Sequence, residues 1–210
     1  MRKVFPGQEI AIYTEEPPAD LVCQFQDGSL TYGMNQCLRN RTRVPLNFTR
    51  FALAGFKTFE SLICDRPAGF GATGVEWVFF NGEGIWLEGE AKGWFKPWAR
   101  ETIRKCHRIL CQYLEAFSSL NPVPLYRLCT LVFAPTFSRR KLRLFTLHDS
   151  RPMTYRGGIL RVPGKWQVRD FRSGKPPAVS YREGATIVST EIGPLSVGCL
   201  LFEPGRWQAF

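Results

Sequence analysis

In the stretch DRPAGFGATGVEW, residues 65 to 77, Gly69, Gly71 and Gly74 are spaced as G-x-G-x-x-G, and Arg66, Gly69 and Gly71 as R-x-x-G-x-G. Glycines so placed let a backbone turn tightly and bring its N–H groups against a phosphate. A dinucleotide site also needs a helix directly after the turn, to present its free N–H groups and positive dipole end. The run that follows Gly74, VEWVFF, reads as a strand instead. A kinase-type loop lies between strands, but the lysine on the next strand and the H-R-D and D-F-G motifs are missing. The three glycines therefore read as a turn within a sheet.

Other reactive side chains are scattered. Seven cysteines nowhere form C-x-x-C, and the two histidines, His107 and His148, stand far apart, so neither zinc ligation nor a Cys-His or Ser-His pair is marked by spacing. The cysteines read as small hydrophobes kept reduced. Glu83, Glu88 and Glu90 gather around a hairpin expected at Asn81-Gly82 and are the carboxylates nearest to an acid-base grouping. Basic residues are better organised. Arg100, Arg104 and Arg108 recur every fourth residue with Lys105 beside them, and Arg139, Arg140, Lys141 and Arg143 fall within five positions. With a net charge of +10, these two clusters point to an anionic partner: nucleic acid, a phosphorylated cofactor such as CoA, or an acidic protein surface. Trp94, Phe95 and Trp98 read as core residues, with base stacking as the alternative.

The segment KPWARETIRKCHRILCQYLEAFSS predicts one long amphipathic helix. Pro97 suits its first turn, and Ile103, Cys106, Leu110, Leu114 and Phe117 recur on one face. NPVPLYRL ends it, and LYRLCTLVFA follows as a strand. Before the helix, EIAIYT, FTRFALAGF, TFESLICD, VEWVFF and GIWLEG read mostly as strands and short helices; after about residue 155 the chain carries strands with Gly and Pro turns and no helical period. The expected class is α/β or α+β, with a mixed central sheet, one long amphipathic helix and a β-rich C-terminal part. The expected division is 1–155 and 156–210. No run is long and apolar enough to span a bilayer, and the first residues lack the apolar centre of a signal peptide, so a soluble, cytoplasmic protein is expected.

From Gly84 to Phe145 the order of features resembles the N-acetyltransferase-like (GNAT-like) proteins encoded by tailed phages. Ile85-Trp86-Leu87 stands for the end of a strand, ARETIRKCHRILCQYLEAF for the Arg-rich helix, LYRLCTLVFA for the next strand and PTFSRRKLRLF for a short helix ending in an aromatic. The resemblance implies an acetyl-CoA-binding domain that transfers an acyl group to an amine, working in the host cytoplasm or a virion. Thr136 and Ser138 would contact the cofactor at the start of the last helix, and Glu88 or Glu90 would assist deprotonation. The R-x-x-G-x-G letters lie ahead of the expected hairpin, not at the start of the long helix where that family binds pyrophosphate. The alternative is a non-enzymatic viral binding or assembly protein that engages nucleic acid or an acidic partner through the two basic clusters.

Overall fold

The computed structural model describes residues 11–14, 25–31, 46–61, 71–86, 97–126 and 132–204. The first half forms a parallel sheet of β1 (Tyr13–Thr14), β2 (Gly28–Thr31), β3 (Lys57–Ser61) and β4 (Gly84–Trp86), in that order. Parallel neighbours cannot be joined by a tight turn, and the chain returns through helices: α1 (Phe48–Ala52) precedes β3 and α2 (Gly71–Asn81) precedes β4. Two further helices follow, α3 (Pro97–Gln112) and α4 (Leu114–Phe117).

The remainder is antiparallel: β5 (Val132–Phe133), β6 (Thr136–Arg139), β7 (Leu142–Asp149), β8 (Tyr155–Pro163), β9 (Trp166–Asp170), β10 (Ala178–Arg182), β11 (Ala185–Ile192) and β12 (Val197–Pro204). One sheet runs β5-β7-β12-β9, with β6 also paired to β7; the other runs β10-β11-β8. The central strands of the first of these sheets, β7 and β12, are buried on both faces: β12 is mostly apolar, and β7 also buries Thr146, His148 and Asp149. Alternation divides their side chains. Leu144, Cys199 and Leu201 join the core of α2 and α3, whereas Phe145, Leu200 and Phe202 meet Leu160 and Val188 of the second sheet. The order of layers here is helices, sheet, sheet.

Five sequence expectations are corrected. The mixed central sheet with one long helix is replaced by a strand-rich molecule with one parallel and two antiparallel sheets. VEWVFF is helical, because Val75, Val78, Phe79 and Phe80 are all fully buried, and a helix buried all round has no period to separate it from a strand. Gly71 and Gly74 belong to that helix. Asn81 ends it and Gly82, at φ 65°, caps it: the Gly82 N–H donates to Phe79 O at 2.9 Å, and Glu83 then leads into β4 parallel to β3. No hairpin forms at Asn81-Gly82.

The single long helix also divides. Tyr113 leaves helical geometry at φ −118° and ψ 31°, and α4 restarts beyond it. Cys106 and Ile109 stay in the core, but Leu114, expected on the same face, is 63% exposed. Finally, PTFSRRKLRLF forms no helix. It folds as the β6–β7 hairpin, turning at Arg140, whose φ is 54°, with Phe137, Leu144 and Phe145 fully buried.

Candidate functional site

Parallel strands all point one way, so the first sheet has a distinct carboxyl end, where Ser61 of β3 lies in register with Trp86 of β4. By strand alternation Trp86 shares its face with Gly84 and, across the sheet, Phe59 and Tyr13. Phe59 packs edge-on to Tyr13 with ring centroids 5.5 Å apart. A side chain at position 84 would put its Cβ 2.2 Å from the Phe59 ring, so glycine makes room for that aromatic row. Trp86 ends the row at the carboxyl edge and is 45% exposed. Glu88 and Glu90 lie outside the described residues, as do Gly69, Trp94 and Phe95.

The opposite face carries Ser29, Thr58, Glu60 and Glu83, all buried. Thr58 donates to Glu83 Oε1 at 2.8 Å, and the Asn47 amide donates to the same oxygen. Asn47 also caps α1, accepting from the Thr49 N–H at 3.1 Å, while its own N–H donates to Asn81 Oδ1 at 2.8 Å. Arg50 of α1 donates to the carbonyl of Phe117. The network thus ties α1, α2, α4, β3 and β4 together at the amino end of the strands. Glu83 Oε2 and one Arg50 nitrogen, NH1, are buried without a hydrogen-bond partner. Burial first, and Glu60 second, push the Glu83 carboxyl up to about 8, against the pull of Thr58, Asn47 and Arg50. Glu83 is therefore mostly protonated at neutral pH. Burial lowers the Arg50 guanidinium from its ordinary value. A cavity of about 410 Å³ adjoins this network, lined by Tyr13, Phe59, Lys57, Glu83 and His107 among others. His107 stands 3.5 Å from Cys111 Sγ on an exposed helix face.

A raised carboxyl beside a cavity is a usual sign of chemistry. Position argues otherwise here. Barrels and open sheets of parallel strands carry their reacting groups at the carboxyl ends, whereas the amino ends serve stability. Glu83 is a structural acid by that criterion, and the candidate site is the carboxyl edge marked by Trp86.

The basic residues lie on two elements, α3 and the β6–β7 hairpin. Arg100, Arg104, Lys105 and Arg108 are exposed on α3, with Lys105 donating to the carbonyl of Arg172. Arg139, Arg140 and Lys141 line a groove of about 780 Å³ that includes Glu115 and Glu203 but none of the α3 arginines. Arg139 is 3.8 Å from Glu115, and Arg143 stacks on Trp166 at 5.1 Å. Thr136 is buried in β6 and Ser138 is half-buried beyond it, in a strand rather than at the helix start the acetyltransferase resemblance required. Among the described residues no three His, Cys, Asp or Glu side chains are grouped to hold a metal, and no helix is long and apolar enough to cross a membrane. Sequence reasoning missed Arg50, Thr58, Glu60 and Asn47. The only available signals were an arginine inside the apolar run FTRFALAGF and an N-cap asparagine ahead of it.

No family model and no curated protein sequence matches the chain. Solved structures do. A maltogenic alpha-amylase from Thermotoga neapolitana aligns with a TM-score of 0.65 at 10% identity, over 94% of this chain and 56% of its own. A debranching enzyme from Nostoc punctiforme gives 0.62 at 13%, over 96% and 53%. A GH27 β-L-arabinopyranosidase from Geobacillus stearothermophilus gives 0.60 at 10%, over 99% and 53%. The chain spans about half the length of the structures it matches, and at these identities the likeness is one of fold. These neighbours are glycoside hydrolases, with no acetyltransferase-like structure among them. The GNAT-like resemblance is overturned, and with it the phage-type acyltransferase reading. The acyl-CoA-binding function expected from that resemblance gives way with it, and what the neighbours show is a shared fold.

Proposed function

We propose that the chain recognises carbohydrate, an α-glucan or a related oligosaccharide, at the carboxyl end of its parallel strands, with Trp86 as the platform for a sugar ring. The observation that carries this reading is the half-exposed Trp86 at the edge where parallel architectures place their ligands, in a fold that follows glycoside hydrolases along nearly its whole length. A tryptophan face offers a broad apolar surface to the C–H groups of a pyranose while its N–H stays available for a hydroxyl. Glu88 and Glu90 are the carboxyls two and four residues beyond Trp86 in sequence. Two such groups flanking a glycosidic bond are what hydrolysis requires, one as acid and one as base or nucleophile.

Isothermal titration with a malto-oligosaccharide tests the reading. Binding is expected in the wild type, with Trp86→Ala weakening it by at least about tenfold, or roughly 1.4 kcal/mol. Glu88→Gln and Glu90→Gln are expected to abolish any release of reducing sugar while leaving binding measurable. Absence of binding at millimolar sugar, or a Trp86→Ala variant that binds as the wild type does, would rule the site out.

A further inference from the structure

The groove of about 780 Å³ beside the β6–β7 hairpin has the volume of a small-molecule site and shares no residue with the Tyr13, Phe59 and Trp86 row. Its lining comes from the junction of α3 and α4, from the turn of the hairpin, and from Gln167 of β9 with Glu203 of β12. Charge is unevenly settled there. Glu115 has Arg139 at 3.8 Å and Glu203 has Arg169 at 2.6 Å, so both carboxylates of the groove already face a cation. Arg140 and Lys141 are exposed, and among the described residues neither has an acidic partner. The backbone gives a second, independent sign. Arg139 pairs with Leu142, so Arg140 and Lys141 make up the whole turn, and Arg140 sits at φ 54°. Two-residue turns ordinarily put Gly, Asn or Asp in that conformation, because it strains a residue with a larger side chain. Here the chain accepts the strain and holds two adjacent cations on the lining of a groove.

We infer that this groove binds a phosphorylated small molecule, a sugar phosphate, with Arg140 and Lys141 on the phosphate. A phosphate ester carries close to two negative charges at neutral pH, which matches the two cations left without a partner. Arginine offers it a planar fork of N–H donors, and lysine a compact point charge. The rest of the lining suits a polyhydroxylated body. Tyr113, whose ring packs on Phe171 at 5.3 Å and whose hydroxyl accepts from Gln112 at 3.1 Å, supplies a held aromatic surface. Gln112, Gln167, Glu115 and Glu203 supply amide donors and carboxylate acceptors for sugar hydroxyls. The two carboxylates also repel an anion placed anywhere but at the turn, which fixes the orientation of the ester.

Calorimetric titration of the 210-residue chain with glucose 6-phosphate tests the inference. Saturable binding that weakens as salt rises is expected. Arg140→Gly removes one cation and gives the turn the residue its φ favours, so this variant should melt no lower than the wild type. With Lys141→Gln added, affinity should fall by at least about tenfold. Arg108→Gln, which takes a cation from the exposed face of α3, and Trp86→Ala should each bind the ester as the wild type does. The inference is overturned by absence of binding at millimolar ester, by glucose or inorganic phosphate binding as tightly as the ester, or by an equal loss in Arg108→Gln. A loss in Trp86→Ala overturns it too, by moving the ester to the carboxyl edge. Malto-oligosaccharide binding is read separately, so the failure of either site is told apart from failure of the other.

Discussion

Glu83 shows how far a single position departs from what its letter suggests. In the sequence it is one of three carboxylates near an expected hairpin; in the structure it is a buried acid held by Thr58 and Asn47, with its pKa pushed to about 8. In the unfolded chain the same group ionises near its ordinary value of 4.5. Between those values the native state holds a proton that the unfolded state has released, so this contribution to stability is complete below the lower value and is lost as pH rises through the upper one. Wild-type stability relative to Glu83→Gln is therefore expected to fall from pH 5 to pH 8, at up to about 1.4 kcal/mol per pH unit, and to level off above. Urea melts of both proteins across that range check it, and parallel profiles would remove the assignment. Gly84 gives a second prediction at this scale. Gly84→Ala drives a Cβ to 2.2 Å from the Phe59 ring and is expected to cost about 1–3 kcal/mol, visible as a Tm lowered by several degrees. Neither role was legible in the sequence, because each depends on which strands become neighbours.

Among the elements, legibility followed the period of the side chains. The steps Ile103, Cys106 and Leu110 are regular, and α3 lies there, although it is not the single long helix expected. The break at Tyr113 was not legible, since the apolar steps continue through Leu114 although the backbone does not. Ile109→Ala is accordingly expected to cost about 2–4 kcal/mol. Leu114→Ala, on a side chain the periodicity placed in the core, should stay within about 0.5 kcal/mol. Equal losses in urea denaturation would restore the uninterrupted helix. α2 defeated sequence reasoning for the opposite reason. Val75, Val78, Phe79 and Phe80 are buried all round, so six apolar letters after glycines look the same as a strand. The PTFSRRKLRLF run, a short helix on the acetyltransferase resemblance, is a hairpin that buries Phe137 and Phe145. The strands beyond residue 155 were legible from their turn residues, whereas their assignment to two sheets was not.

At the scale of the molecule, the acetyltransferase resemblance rested on the order of elements over one stretch, and within it PTFSRRKLRLF, taken for a short helix, is a hairpin. Burial patterns revealed the actual plan: a parallel sheet with its helices, then an antiparallel sheet whose central strands are buried on both faces, then a third sheet outside it. That plan follows glycoside hydrolases over 94% to 99% of the chain in the examples given. It turns attention from the glycine stretch and the basic clusters to the carboxyl edge of the first sheet. Glu88 and Glu90 lie outside the described residues, and the significance of Trp86 depends on the parallel strand it ends. Fluorotryptophan labelling tests the central claim most directly, with the six tryptophan signals resolved by fluorine NMR and that of Trp86 assigned through Trp86→Phe. Titration with a malto-oligosaccharide is expected to move the Trp86 resonance while those of buried Trp77 and of Trp166, in the antiparallel half, stay in place. A Trp86 signal unmoved at saturating sugar, or a shift confined to Trp166, would contradict a carbohydrate site at the carboxyl end of the parallel strands.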